Sequence, residues 1–174
     1  MQTTDIRHFR LPRYEELPDV GLYLEQAVRY INECLAPLEQ ISLTPSMLRN
    51  YVKLHYISPP VRKLYDRDQI AYLIFMAIVK PSLPLPHIRT LFDIQQETSS
   101  CRDAYDNFCL RFEAMLSYLF GLRESPILYG EGAGYERQLF QSVIVASCHI
   151  LYVRWCLDHG KTEAEGVAES SQNA

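Results

Sequence analysis

Apolar positions recur along this chain at helical spacing, and prolines interrupt them. Val20, Leu24, Val28, Ile31 and Leu35 follow one another at three- and four-residue steps, which predicts a first helix capped by Asp19 and ended near Pro37. The segment before it, RHFRLPRYEELPD, holds two prolines and no steady period, and reads as an extended arm. A second helix is predicted over residues 45–54, because Thr44 is a good N-cap and Pro45 suits the first helical position. Its residues sort by face. Leu48, Tyr51 and Val52 share one side, while Ser46, Arg49, Asn50 and Lys53, at i, i+3, i+4 and i+7, share the other. The paired prolines of HYISPP forbid its continuation.

Asp66 with Gln69 three residues later is a capping box and opens a third helix, with Ile70, Leu73, Ile74, Ala77 and Ile78 turned inward. PSLPLP separates it from a helix over about 85–94 that buries Ile88 and Leu91. After the polar joint QQETSS, Ser100 caps a helix running to Gly121, with Ala104, Phe108, Phe112, Met115, Leu116 and Leu119 on one side. Gly121 suits a left-handed C-terminal cap. The loop RESPILYGEGAGYE leads to a long apolar helix ending near His159. Residues 161–174 are polar and lack aromatics, and a disordered tail is expected there.

Composition narrows the class. The chain has 174 residues, 48% hydrophobic and 22% charged, enough for one domain or two small ones and too apolar for wholesale disorder. The net charge of −4 conceals a division: residues 1–90 carry eleven Lys and Arg against nine Asp and Glu, and residues 91–174 six against twelve. Five cysteines (Cys34, Cys101, Cys109, Cys148, Cys156) form no CxxC and no even spacing, so no disulfide scaffold is expected. With no signal-peptide pattern, a reduced, cytoplasmic protein is the expectation. Residues 139–157 are apolar enough to suggest a membrane span, but they include Gln141, Ser142, His149 and Arg154. One charge in the bilayer costs at least about 2.5 kcal/mol, so a helix buried in a bundle or at a dimer seam is expected instead.

Catalytic and metal chemistry find little support. Cys156 and His159 are three apart, but Cys148 and His149 lie two turns away and cannot complete a tetrahedral site on the same helix. Gly130, Gly132 and Gly134 follow no strand and sit beside Glu131 and Glu136, which would repel a phosphate. No triad, GxSxG, HExxH or paired-carboxylate spacing is present. Neither an enzyme nor a cofactor or metal is expected.

The informative stretch is Leu43 to Phe92. Residues 44–67 carry five basic residues, Arg49, Lys53, Arg62, Lys63 and Arg67, against the single acid Asp66. A helix presenting Ser46, Arg49, Asn50 and Lys53 has the chemistry for a major groove, where arginine pairs with guanine edges and asparagine with adenine edges. The basic connector beside it suits phosphates. On a short helix the same face also serves as plain solvated surface, so the order of elements carries the reading: helix, turn, polar-faced helix, basic hairpin, capped apolar helix.

At these residues the sequence resembles the MerR-like winged helix-turn-helix, a bacterial DNA-binding fold. The resemblance rests on LRNYVKLHYISPP, on KLYDRDQIAYL, where Tyr65 matches the tyrosine at the end of the wing, and on LPLPHIRTLF, similar to the short helix that follows, about 50 residues in all. In addition, LPRYEELPDVGLYLEQAV, LTPSMLRNYVK and DQIAYLIFMAIVK look like an uncharacterised bacterial family of unknown function carrying such a domain, over roughly residues 9–115. The resemblance implies an all-α fold with a winged helix-turn-helix over residues 9–96 and a C-terminal region of two long helices over 97–160. It implies a sequence-specific DNA-binding transcriptional regulator in which Ser46, Arg49, Asn50 and Lys53 read bases. Tyr51 would straddle core and DNA backbone, Arg62 and Lys63 would form the wing, and Tyr65 and Arg67 would help hold phosphates. Two features depart from the family: His55 and Tyr56 stand where a glycine turn is usual, and the first helix is longer.

Double-stranded DNA is therefore the expected partner. The long apolar helices are expected to form a homodimer, with room for an unknown small-molecule effector. Arg7, Arg10 and Arg13 read either as a minor-groove arm or as scattered charges on a frayed end. The alternative from another class is a non-enzymatic protein-interaction module that has lost DNA binding.

Overall fold

The computed structural model describes the backbone of residues 9–172 and the side chains of residues 9–160. Among them are six helices and one very small sheet: β1 (Leu22–Tyr23), α1 (Leu24–Leu35), α2 (Pro45–Lys53), β2 (Leu64–Tyr65), α3 (Arg67–Val79), α4 (Leu85–Thr98), α5 (Cys101–Leu119) and α6 (Tyr135–Gln172). The strands pair antiparallel, Leu22 opposite Tyr65 and Tyr23 opposite Leu64. The chain is thus predominantly helical. It divides into two compact units between Cys109 and Leu110, inside α5.

α3 is the centre of the first unit. From Gln69 to Val79 every residue except Tyr72 is buried, as a helix apolar on all sides must be. Its start is the capping box read from the sequence. Asp66 Oδ1 accepts from the Gln69 N–H, and Gln69 Oε1 from the Asp66 N–H, each at 2.9 Å. The Gln69 amide also donates to the Ser58 carbonyl at 2.8 Å, which ties down the connector after α2. α1 contributes Ala27, Val28, Ile31 and Leu35 to the core, and α4 contributes Ile88, Leu91 and Phe92. Phe75 of α3 meets Phe92 at 5.7 Å and Phe108 at 4.9 Å between ring centroids. The latter contact brings the first half of α5 into this unit, past the boundary at 96/97 expected from the sequence.

Other expectations are also corrected. α1 starts at Leu24, not after Asp19, because Leu22 and Tyr23 are held extended in the sheet; Gln26 Oε1 then accepts from the Tyr23 N–H at 2.9 Å. Val20, counted on the helical stripe, is 68% exposed. The described part of the arm is packed, with Leu11 and Leu17 buried. There the Tyr14 N–H donates to Asp106 at 2.7 Å and its hydroxyl to Asp68 at 2.5 Å. α4 runs on through the supposed joint to Thr98, because Gln95 is buried and bonded to Tyr72 and Ser99.

In the second unit, Gly121 takes φ 71° and closes α5. Its N–H donates to Tyr118 O, and the Leu122 N–H to Ser117 O, a Schellman ending. Phe120 sits edge-on to Tyr152 and Trp155, and the Cys148 thiol donates to Phe112 O. Gly160, at φ 77°, breaks α6. Beyond the break the backbone is helical to Gln172, where a disordered tail was expected; Asn173 and Ala174 lie outside the described residues. By length and composition the stretch Tyr135–Gly160 could cross a membrane, and 28% of its most apolar window is buried.

Gly21, just before β1, is closely approached by β2: an added Cβ would stand 2.7 Å from Leu64 Cβ. Gly21→Ala must push β2 away, and should destabilise the protein by about 1–3 kcal/mol. An unchanged urea midpoint would contradict this packing.

Candidate nucleic-acid interface

α2 owes its orientation to its caps and its buried side. Thr44 Oγ1 accepts from the Met47 N–H at 3.1 Å, and Pro45 occupies the first turn, where no N–H is needed. Leu48 and Tyr51 are buried. The opposite face therefore points outward, and Ser46, Arg49, Asn50 and Lys53 are all exposed. The helix ends without glycine. His55 takes the left-handed conformation at φ 61°, its N–H donating to Val52 O at 3.1 Å and the Tyr56 N–H to Tyr51 O at 2.9 Å. This is the Schellman geometry in which glycine is usual.

The connector then folds into a hairpin. Val61 and Leu64 exchange two backbone hydrogen bonds, at 3.1 and 2.9 Å, around Arg62 and Lys63. Both central residues are left-handed, at φ 51° and 68°, as in a type I′ turn, where Asn-Gly is the favoured pair. Left-handed backbone costs a residue with a side chain about 1–2 kcal/mol. Here that cost is borne by two exposed cations at the hairpin tip.

Burial raises the Tyr65 hydroxyl above its ordinary range, and the positive charge of Arg49, on α2, partly opposes the shift. Arg49 Nη2 is 3.7 Å from Glu25 Oε1 at the start of α1, an exposed pair. Lys53, Arg62 and Lys63 have no acidic partner among the described residues.

Six of the nine residues singled out from the sequence are therefore exposed: Ser46, Arg49, Asn50 and Lys53 on α2, and Arg62 and Lys63 at the hairpin tip. Three are not. Tyr51 is buried, and its hydroxyl has no hydrogen-bond partner among the described residues. Tyr65 is 4% exposed. Arg67, 21% exposed, is turned to Glu15 at 2.9 Å and lies 5.4 Å from the Tyr14 ring centroid, because the start of α3 packs against the arm. Arg10 is likewise engaged, with Glu16 at 2.8 Å, and Arg13 donates to Leu11 O; Arg7 lies outside the described residues. Sequence reading missed three contacts around α2. Glu25 meets Arg49, Lys80 lies 5.5 Å from the Tyr51 ring, and Arg89 donates to His55 O at 3.3 Å. The Arg89–Asp93 pair at i, i+4 was the one local signal available.

A family model matches residues 12–108, more than half of the chain. The protein belongs to the family described as a domain of unknown function, DUF1836. No curated protein and no solved structure matches it significantly. The matched range contains α2, the hairpin and the whole of α3, so the residues described above lie within the family's own domain.

His55 gives a direct check on how α2 ends. His55→Gly removes the left-handed penalty of about 1–2 kcal/mol and returns part of it through a freer unfolded chain, for a net gain of roughly 0.5–1 kcal/mol in denaturant unfolding. A loss of stability would contradict the observed turn.

Proposed function

We propose that this DUF1836 protein is a sequence-specific DNA-binding transcriptional regulator of the cytoplasm, with a first unit of MerR-like winged helix-turn-helix type. Two observations support the reading: α2 turns Ser46, Arg49, Asn50 and Lys53 outward, and the hairpin after it ends in two exposed cations that have no acidic partner among the described residues. In this reading α1 and α2 are the helix-turn-helix and the hairpin is the wing. Arg49 and Asn50 read base edges, Ser46 and Lys53 flank them, and Arg62 and Lys63 hold phosphates. The Arg49–Glu25 contact is long and exposed, and such pairs contribute little, so Arg49 exchanges it readily for a guanine edge. Two copies, joined through the apolar C-terminal helices, would read paired half-sites; Leu157, 79% exposed on α6, supports such a seam.

Salt dependence tests the reading. Each phosphate contact adds about 0.9 to the slope of log K against log salt. Arg62→Ala with Lys63→Ala should therefore lower that slope by roughly 2 and weaken all sequences alike. Asn50→Ala should instead relax preference at one base pair, worth about 1–3 kcal/mol. A binding partner whose affinity does not change with salt would favour the protein-interaction module.

A further inference from the structure

The small sheet has an inner and an outer face. Leu64 stands opposite Tyr23 on one side and, across the tight turn, opposite Val61 on the other. Residues directly opposite one another project from the same face of a sheet, so Tyr23, Leu64 and Val61 form one row across three extended segments. Gly21 agrees with this, since residues two apart share a face and its absent Cβ would point into the Leu64 side chain. The neighbouring pair, Leu22 with Tyr65, projects from the other face, where Tyr65 is buried. The row therefore faces solvent, with Tyr23 56% and Val61 72% exposed.

The charges around this row select its occupant. The turn that joins Val61 to Leu64 consists of Arg62 and Lys63, both exposed. On the other side Glu25, two residues past Tyr23 and so within about 7 Å of it along the backbone, meets Arg49 of α2. The acids nearest in sequence are thus engaged, Glu25 by Arg49 and Asp66, three residues past Lys63, by the Gln69 N–H. An apolar protein surface laid on the row would also have to cover two cations that have no acidic partner among the described residues, at a cost in desolvation. The backbone of duplex DNA meets both demands, because its deoxyriboses offer apolar faces and its phosphates accept from cations and from tyrosine hydroxyls.

We propose that this row docks the sugar–phosphate backbone of duplex DNA, with the Tyr23 hydroxyl donating to a phosphate oxygen and Val61 packed on the adjoining deoxyribose. The inference rests on the DNA reading above and adds to it an uncharged contact from β1, outside α2 and the hairpin tip, that holds every sequence alike.

Anisotropy titrations of a labelled mixed-sequence duplex with the full chain, over a range of salt, test it. Tyr23→Phe removes the hydroxyl and keeps the ring, so the melting temperature should stay as it is while the dissociation constant rises about tenfold, the loss expected for one hydrogen bond to a charged group. The slope of log K against log salt should match that of the wild type, because no cation is lost. Val61→Thr keeps a β-branched residue in the strand and should weaken binding about threefold, for one methyl group taken from an apolar contact. A Tyr23→Phe variant that binds as the wild type does would overturn the proposal and leave the DNA reading standing, whereas a wild-type chain that binds no duplex would overturn both. Loss of self-association in light scattering, with DNA affinity unchanged, would assign the row to a protein partner and overturn the proposal as well.

Discussion

A helix that is apolar on every side has one stable place in water, the middle of a core, and α3 is such a helix. Its burial dictates the rest of the first unit. α1, α4 and the beginning of α5 supply apolar side chains to cover it, and the arm before β1 closes over its first turn through Tyr14 and Glu15. Its capping box sets where the preceding chain must arrive, since Asp66 is both the last residue before α3 and the one after β2. The hairpin is therefore projected from a rigid base, and Gln69 anchors the connector at Ser58 on the same base.

The outward surface follows from that arrangement. α2 is a short helix with a clean division of faces, so once Leu48 and Tyr51 are buried the polar side has one direction left. Its charges are distributed unevenly in effect. Arg67 is neutralised by Glu15 and Arg10 by Glu16, whereas Lys53, Arg62 and Lys63 are left without acidic partners among the described residues. A total charge of −4 thus coexists with a locally basic patch, and steering depends on the patch. Left-handed backbone at two consecutive cations is a cost to stability that a turn of Asn-Gly would avoid, which fits a tip selected for what it presents.

Much of this was legible in the sequence wherever one residue type answers one local demand. Thr44 before proline, Asp66 with Gln69, and Gly121 at a helix end each marked a boundary that the structure places within a residue or so. What escaped had no local signature. A two-residue strand has no period, so β1 was absorbed into the stripe of α1 and Val20 was assigned to the core. Arm docking depends on Tyr14 meeting Asp68 and Asp106, partners 54 and 92 residues away. Arg67 counted as a free cation for the same reason, because Glu15 is remote in sequence. From the family likeness Tyr51 was expected to straddle core and DNA backbone and Tyr65 to help hold phosphates; both are buried, Tyr65 in the strand paired with β1.

The central claim is that α2 reads DNA sequence, and selection of bound genomic fragments by the purified protein at near-physiological salt tests it most directly. Wild type should enrich a paired motif, and the Arg49→Ala, Lys53→Ala variant, folded to the same melting temperature, should enrich none. Failure of the wild-type protein to enrich any sequence, or an identical motif from the variant, would contradict the account.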